Sequence, residues 1–188
     1  MKQGLNLAIV LIALFGQSNC ALAAATVLGA NDATLCFHES QLQFGRDPSA
    51  CSAALRAGEL TRRDQAATYS NRGIIHAKMD ELEKALQDHN RAIEIKPDLN
   101  QAYINRGNVY FHLRRYEEAL LEYQIAIDMV TSPLYLPHFN SGMALLKLKR
   151  DDEAVLAFER ALEISPESER VKKKLAQAKS IATSSDPE

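Results

Sequence analysis

A period of 34 to 35 residues in the placement of small side chains constrains this 188-residue chain more than any other feature. Gly73, Gly107 and Gly142 keep that spacing, as do Ala85, Ala119 and Ala154, and again Ala92, Ala126 and Ala161. Three matched offsets in three successive units do not arise from composition. Antiparallel helices whose axes pack 8–10 Å apart need small side chains where they approach most closely. The spacing predicts that the eighth residue of each unit, on its first helix, meets the alanine at the twentieth on its second. The alanine at the twenty-seventh then seats the next unit. Between these offsets, Glu81–Leu86 and Glu117–Leu120 keep apolar residues at helical spacing. Acidic residues open each second helix, where its dipole favours them: Asp80 and Glu81, Glu117 and Glu118, and Asp151 to Glu153. One such unit cannot bury its apolar face alone. The fold class predicted is therefore all-α, an α-solenoid of stacked antiparallel helix pairs.

The pattern resembles the tetratricopeptide repeat family, whose units are small at the eighth, twentieth and twenty-seventh positions. That family favours aromatics at the fourth, eleventh and twenty-fourth, and Pro near the thirty-second. Counting units as 66–99, 100–133 and 135–168, the fourth positions are Tyr69, Tyr103 and His138, and the eleventh are His76, Tyr110 and Leu145. The twenty-fourth are His89, Tyr123 and Phe158, and Pro97 and Pro166 fill the thirty-second. The middle unit departs from the pattern with Thr131, Pro133 and an extra Leu134. The frame places His76 and His89 in the core of unit one as packed, hydrogen-bonded imidazoles. A capping helix is expected over 167–182, with Val171, Leu175 and Ala178 inward, Ala176 at the eighth position and Lys172, Lys173, Lys174 and Lys179 outward. These bounds give a repeat domain over 62–182, followed by a disordered tail over 183–188.

Residues 1–25 read as a leader. Lys2 precedes the apolar run Leu5–Phe15, and small residues then offer cleavage after Ala23 or Ala25. Eleven helical residues rise about 16 Å, roughly half of a ~30 Å hydrocarbon core, so the run is short for an anchor. The expected destination is outside the cytosol, a Gram-negative periplasm first of all, with membrane contact only through the transient leader. Cys20 leaves with it. The remaining Cys36 and Cys51 predict one disulfide in an oxidising compartment, tying down a segment over 26–61. Within that segment, Asp47–Ala57 followed by Gly58 reads as the second helix of a degenerate half-repeat.

The residues carry no catalytic signature. There is no H-x-x-x-H, nucleophile elbow, phosphate-cradling loop or dinucleotide fingerprint, so neither enzyme activity, metal nor cofactor is expected. A net charge of −2 supplies no field for a nucleic-acid backbone. What remains is a surface. By the resemblance, first helices line the concave face, and their sixth positions here are Asn71, Asn105 and Asn140. Asn is a poor residue inside a helix, so a row of three calls for an account. One account is an amide ladder that pairs with the backbone of an extended peptide. The other is inheritance by duplication of one unit, as the repeated Asn-Arg-Gly at 71–73 and 105–107 suggests. Ile74, Ile104, Phe111, Phe139 and Met143 form the expected apolar floor, with Lys78, Asn108, His112 and Lys147 as polar rim. Family members that clamp a chaperone's C-terminal carboxylate need cations where this chain has Ser70, Leu136 and Asn140. That specialised reading fails. The function expected is non-catalytic binding of a peptide or protein partner in the groove. The alternative is a structural or self-associating subunit of a cell-envelope assembly.

Overall fold

The computed structural model describes residues 32–129 and 132–185, so the expected leader at 1–25 and residues 186–188 lie outside the described residues. Every regular element among the described residues is a helix. They are α1 (32–41), α2 (Ser49–Ala57), α3 (Arg62–Lys78), α4 (Leu82–Ile95), α5 (Asn100–His112), α6 (Tyr116–Asp128), α7 (Tyr135–Lys147), α8 (Asp151–Ile164) and α9 (Glu169–Ser185). The pairs α3/α4, α5/α6 and α7/α8 are the three units. Each second helix packs on the next first helix, and α3, α5 and α7 also touch one another in sequence. None of the described helices is long and apolar enough to cross a membrane.

One turn is used three times. Asp80, Arg114 and Lys149 hold left-handed φ values of 63°, 60° and 58°. Behind each, the following amide donates back to the helix just ended: Glu81 to His76, Arg115 to Tyr110 and Arg150 to Leu145, at 2.9, 2.9 and 3.0 Å. This 6→1 bond satisfies carbonyls that the helix end would leave orphaned and turns the chain straight into the antiparallel partner.

The small eighth positions are required, and the nearest atoms that require them belong to the ring at the twenty-fourth position. A Cβ on Gly73 would stand 2.7 Å from the His89 ring, one on Gly107 2.6 Å from Tyr123, and one on Gly142 2.7 Å from Phe158. Each glycine is thus approached most closely by the ring at the twenty-fourth position. Tyr123 and Phe158 suit this slot. His89 sits in it with no exposed surface, and neither ring nitrogen has a hydrogen-bond partner. The expectation of a hydrogen-bonded core imidazole therefore holds for His76, whose Nδ1 lies 2.6 Å from Glu81 Oε2, and fails for His89. Burial, reinforced by the Arg106 charge, pushes the His89 pKa down to about 3.

A second periodic device is charged. Arg72 grips Asp88 through two bonds of 2.8 and 2.7 Å, and Arg106 grips Glu122 through two of 2.8 Å, each joining the seventh position to the twenty-third. Unit three has Ser141 and Ala157 at these places and so lacks the latch.

At the amino edge, Cys36 and Cys51 are disulfide-bonded and fully buried beside Ile75. Gly58 ends α2 at φ 74°. The bond joins α1 to α2, so the segment holds a pair of helices instead of the single second helix expected. At the carboxyl edge, Val171, Leu175 and Ala178 are buried as the stripe required, while Ala176 is exposed. An eighth-position residue faces its own unit's second helix, and none follows α9 among the described residues. The cap also runs on through residues expected to be disordered. Thr183 and Ser184 stay helical, their hydroxyls donating to the carbonyls of Lys179 and Ile181.

Candidate functional site

The first helices α1, α3, α5, α7 and α9 present one face, and three cavities follow one another along it. The first, about 440 Å³, lies where α1 meets α3 and includes Ala33, Phe37, Leu60, Ala67 and Asn71. The second, about 360 Å³, opens between α3 and α5 among Ile74, Ala77, Asn105, Val109 and His112. The third, about 460 Å³, is shared by α5, α7 and α9 and takes in Phe111, Leu136, Asn140, Met143 and Arg170. Of the expected apolar contacts, Ile74, Phe111 and Met143 are half-buried and face this chain of cavities. His112 stands exposed on its rim and Asn108 lines both of the last two.

Other expected residues have different positions or partners. Phe139 is only 1% exposed. It packs edge-on to Phe158 at 5.5 Å, and the Arg170 guanidinium lies 4.3 Å from its ring centre. It is buried and still lines the third cavity, so it serves as floor from within the core. Ile104, at the same register of α5, is likewise buried. Lys78 is not a free rim cation. Its Nζ donates to the carbonyls of Ser40 and Leu42 and so fastens the end of α1, and burial holds its pKa below the ordinary lysine value.

The asparagine row does not form a continuous open ladder. Asn105 is 8% exposed; its Nδ2 donates to Ser70 Oγ at 3.2 Å and its Oδ1 accepts from Gln101 at 3.1 Å. Asn140 Nδ2 donates to Asn108 Oδ1 at 2.9 Å, an oxygen that also accepts the Tyr123 hydroxyl at 2.9 Å. These amides stitch α3 to α5 and α5 to α7. Their donor-plus-acceptor chemistry satisfies neighbouring helices, which are nearer and already ordered. Asn105 and Asn140 line the second and third cavities with their amides tied to neighbouring helices, and Asn71 lines the first, at the α1 end.

Sequence reasoning missed three contributors. Phe37 is half-exposed on α1, one residue from Cys36, and the cysteine alone hinted that this segment is pinned against the repeats. Leu136 is 38% exposed at the second position of α7. Arg170 holds the equivalent second position on the cap, and its register was the available signal. Among the described residues no group of three His, Cys, Asp or Glu side chains gathers as a metal site would.

Stacked helix pairs with a lined inner face define a helical-repeat solenoid. Tetratricopeptide repeat profiles match residues 66–99, 101–129 and 135–168, just over half of the chain. The chain belongs to the tetratricopeptide repeat family. It is 42% identical over 50 residues to human tetratricopeptide repeat protein 6, covering 27% of this chain and 10% of that one. It is 32% identical over 71 residues to the wheat Hsp70-Hsp90 organizing protein, covering 37% and 12%. The chain thus spans about a tenth of the length of these relatives. Among solved structures, it is similar to the second such domain of human RPAP3 in complex with the HSP70 peptide SGPTIEEVD. There the TM-score is 0.59 and the identity 25%, over 63% of this chain and 98% of that one.

Proposed function

We propose that this protein is a non-catalytic adaptor that holds an extended segment of a protein partner along the face of α1, α3, α5, α7 and α9. The observation that carries the reading is the run of three cavities on a single face, with apolar walls and polar rims, the form expected of a peptide-receiving groove. The peptide held by the similar domain of human RPAP3 supports the same use of the fold. Recognition here rests on Phe37, Ile74, Phe111, Leu136 and Met143 more than on the amide row. The charged leader start, apolar run and small residues support export, with the periplasm as destination.

A second reading has its own observation. Leu121 and Leu156, at one register of α6 and α8, are 65% and 62% exposed, whereas unit one has Gln87 there. Apolar residues outside the groove suit a subunit that docks into an assembly. Photo-crosslinking in the native compartment separates the two. A photoreactive residue at Leu136 or His112 is expected to capture a partner, with little capture from Leu121 or Leu156. Adducts from the latter pair alone would overturn the groove reading in favour of the assembly subunit.

A further inference from the structure

The two ends of the groove carry opposite charge. The lining of the α1–α3 cavity includes Glu59 and Asp64 and no cation. Both carboxylates are exposed, and Asp64 accepts the Thr61 hydroxyl at 2.7 Å with no cation among the described residues paired to it. The nearby Arg62 turns away, its guanidinium donating to the Ile95 carbonyl at 2.8 Å. The lining of the α5–α7–α9 cavity includes Arg170 and no carboxylate. That guanidinium lies over the Phe139 ring, and no carboxylate among the described residues pairs with it. Of the two expected rim lysines, Lys78 is already committed to the end of α1, and Lys147 is exposed at the far end of α7. Asp64 and Arg170 both sit near the start of their helices, so the line joining them crosses the stack at one level.

We infer that the groove selects segments that are themselves dipolar, with a Lys or Arg and an Asp or Glu about eight residues apart and apolar side chains at alternating places between. The inference rests on the groove reading proposed above. From α3 to α9 is three helix steps of 8–10 Å, roughly 25–30 Å, which an extended strand covers in about eight residues at ~3.3 Å each. Apolar side chains on one face of that strand meet the cavities, while its two charges meet Glu59 with Asp64 and Arg170. Uniformly acidic or basic segments satisfy one end and are repelled at the other.

The test is fluorescence anisotropy on the intact, disulfide-bonded protein with four nine-residue peptides, capped at both termini. All share an alternating Leu/Phe–Ser centre and end in Lys and Glu, Lys and Lys, Glu and Glu, or Ser and Ser. The dipolar peptide is expected to bind at least fivefold more tightly than the other three at low ionic strength, with the advantage shrinking in 0.5 M salt (a Debye length of only about 4 Å). Arg170→Glu should shift the preference to the Lys–Lys peptide, and Arg170→Lys should keep the original order. Glu59→Lys, in the exposed loop before α3, provides the mirror-image shift without touching the Phe139 contact. Equal affinity for all four peptides overturns the charge selection and leaves the groove reading standing. Absence of binding by any of them overturns the groove reading, and this inference with it.

Discussion

His89→Phe should stabilise the protein, and by more in mild acid than at neutral pH. The imidazole occupies a slot built for a ring, against Gly73, as Phe158 lies against Gly142. Its two nitrogens are buried without partners, a defect worth about 1–3 kcal/mol wherever a polar atom is left unsatisfied. Phenylalanine removes that cost at any pH. The pH-dependent part follows from the pKa of about 3 in the folded chain against an ordinary 6.5. Because the folded value is depressed, the unfolded chain takes up the proton first. Stability from the neutral ring is complete above pH 6.5 and drains away as the pH falls from 6.5 towards 3, at about 1.4 kcal/mol per pH unit. At pH 5 the loss is about 2 kcal/mol. Urea unfolding of both proteins at pH 7.5 and pH 5 measures it, since carboxylates and His138 titrate alike in the two and cancel in the difference. Tyrosine is the poorer choice: Tyr123 gives its hydroxyl to Asn108, whereas unit one has Ile74 at that register. A stability gain from His89→Phe that is equal at both pH values would refute the buried-imidazole reasoning.

Three further perturbations follow. Asn105→Ala should lower unfolding free energy by about 1 kcal/mol, through loss of its bonds to Ser70 and Gln101, with a drop in Tm measurable by circular dichroism. Gly107→Ala should cost about 1–3 kcal/mol, because the new methyl would stand 2.6 Å from the Tyr123 ring; Gly58→Ala, where space is open but φ is 74°, should cost less, by denaturant titration of both. Replacing Cys36 and Cys51 together by Ala should cost about 3 kcal/mol on the loop-entropy estimate for a separation of 15 residues, and hydrogen exchange should rise first in 32–57 while α5 to α8 stay protected.

Much of the architecture is legible in the spacing of small residues, because close helix approach is a demand that only Gly and Ala meet. The partner of that approach was less legible. Spacing alone does not reveal that a ring at the twenty-fourth position comes nearest to each glycine. The site was read less well than the fold for a related reason. An asparagine amide serves a bound backbone or an adjoining helix with the same atoms, and only the distance to Ser70 or Asn108 decides between them. Phe111 and Phe139 are alike in the sequence, yet one is half-buried at the twelfth position of its unit and the other buried at the fifth, where Phe158 and Arg170 cover its ring. The wall supplied by α1 had no repeat to announce it; the disulfide was its sole trace.

The stitched asparagines bear on how this protein would meet a partner. Long helical stacks commonly flex like a spring, opening and closing their curve. Here the inner edge is sewn at Ser70–Asn105 and Asn108–Asn140, which restrains the bend along the face where a partner would dock. A cradle shaped in advance spends little of its attraction on being shaped, and its grip should depend on how well the visitor fits far more than on how far the host can yield.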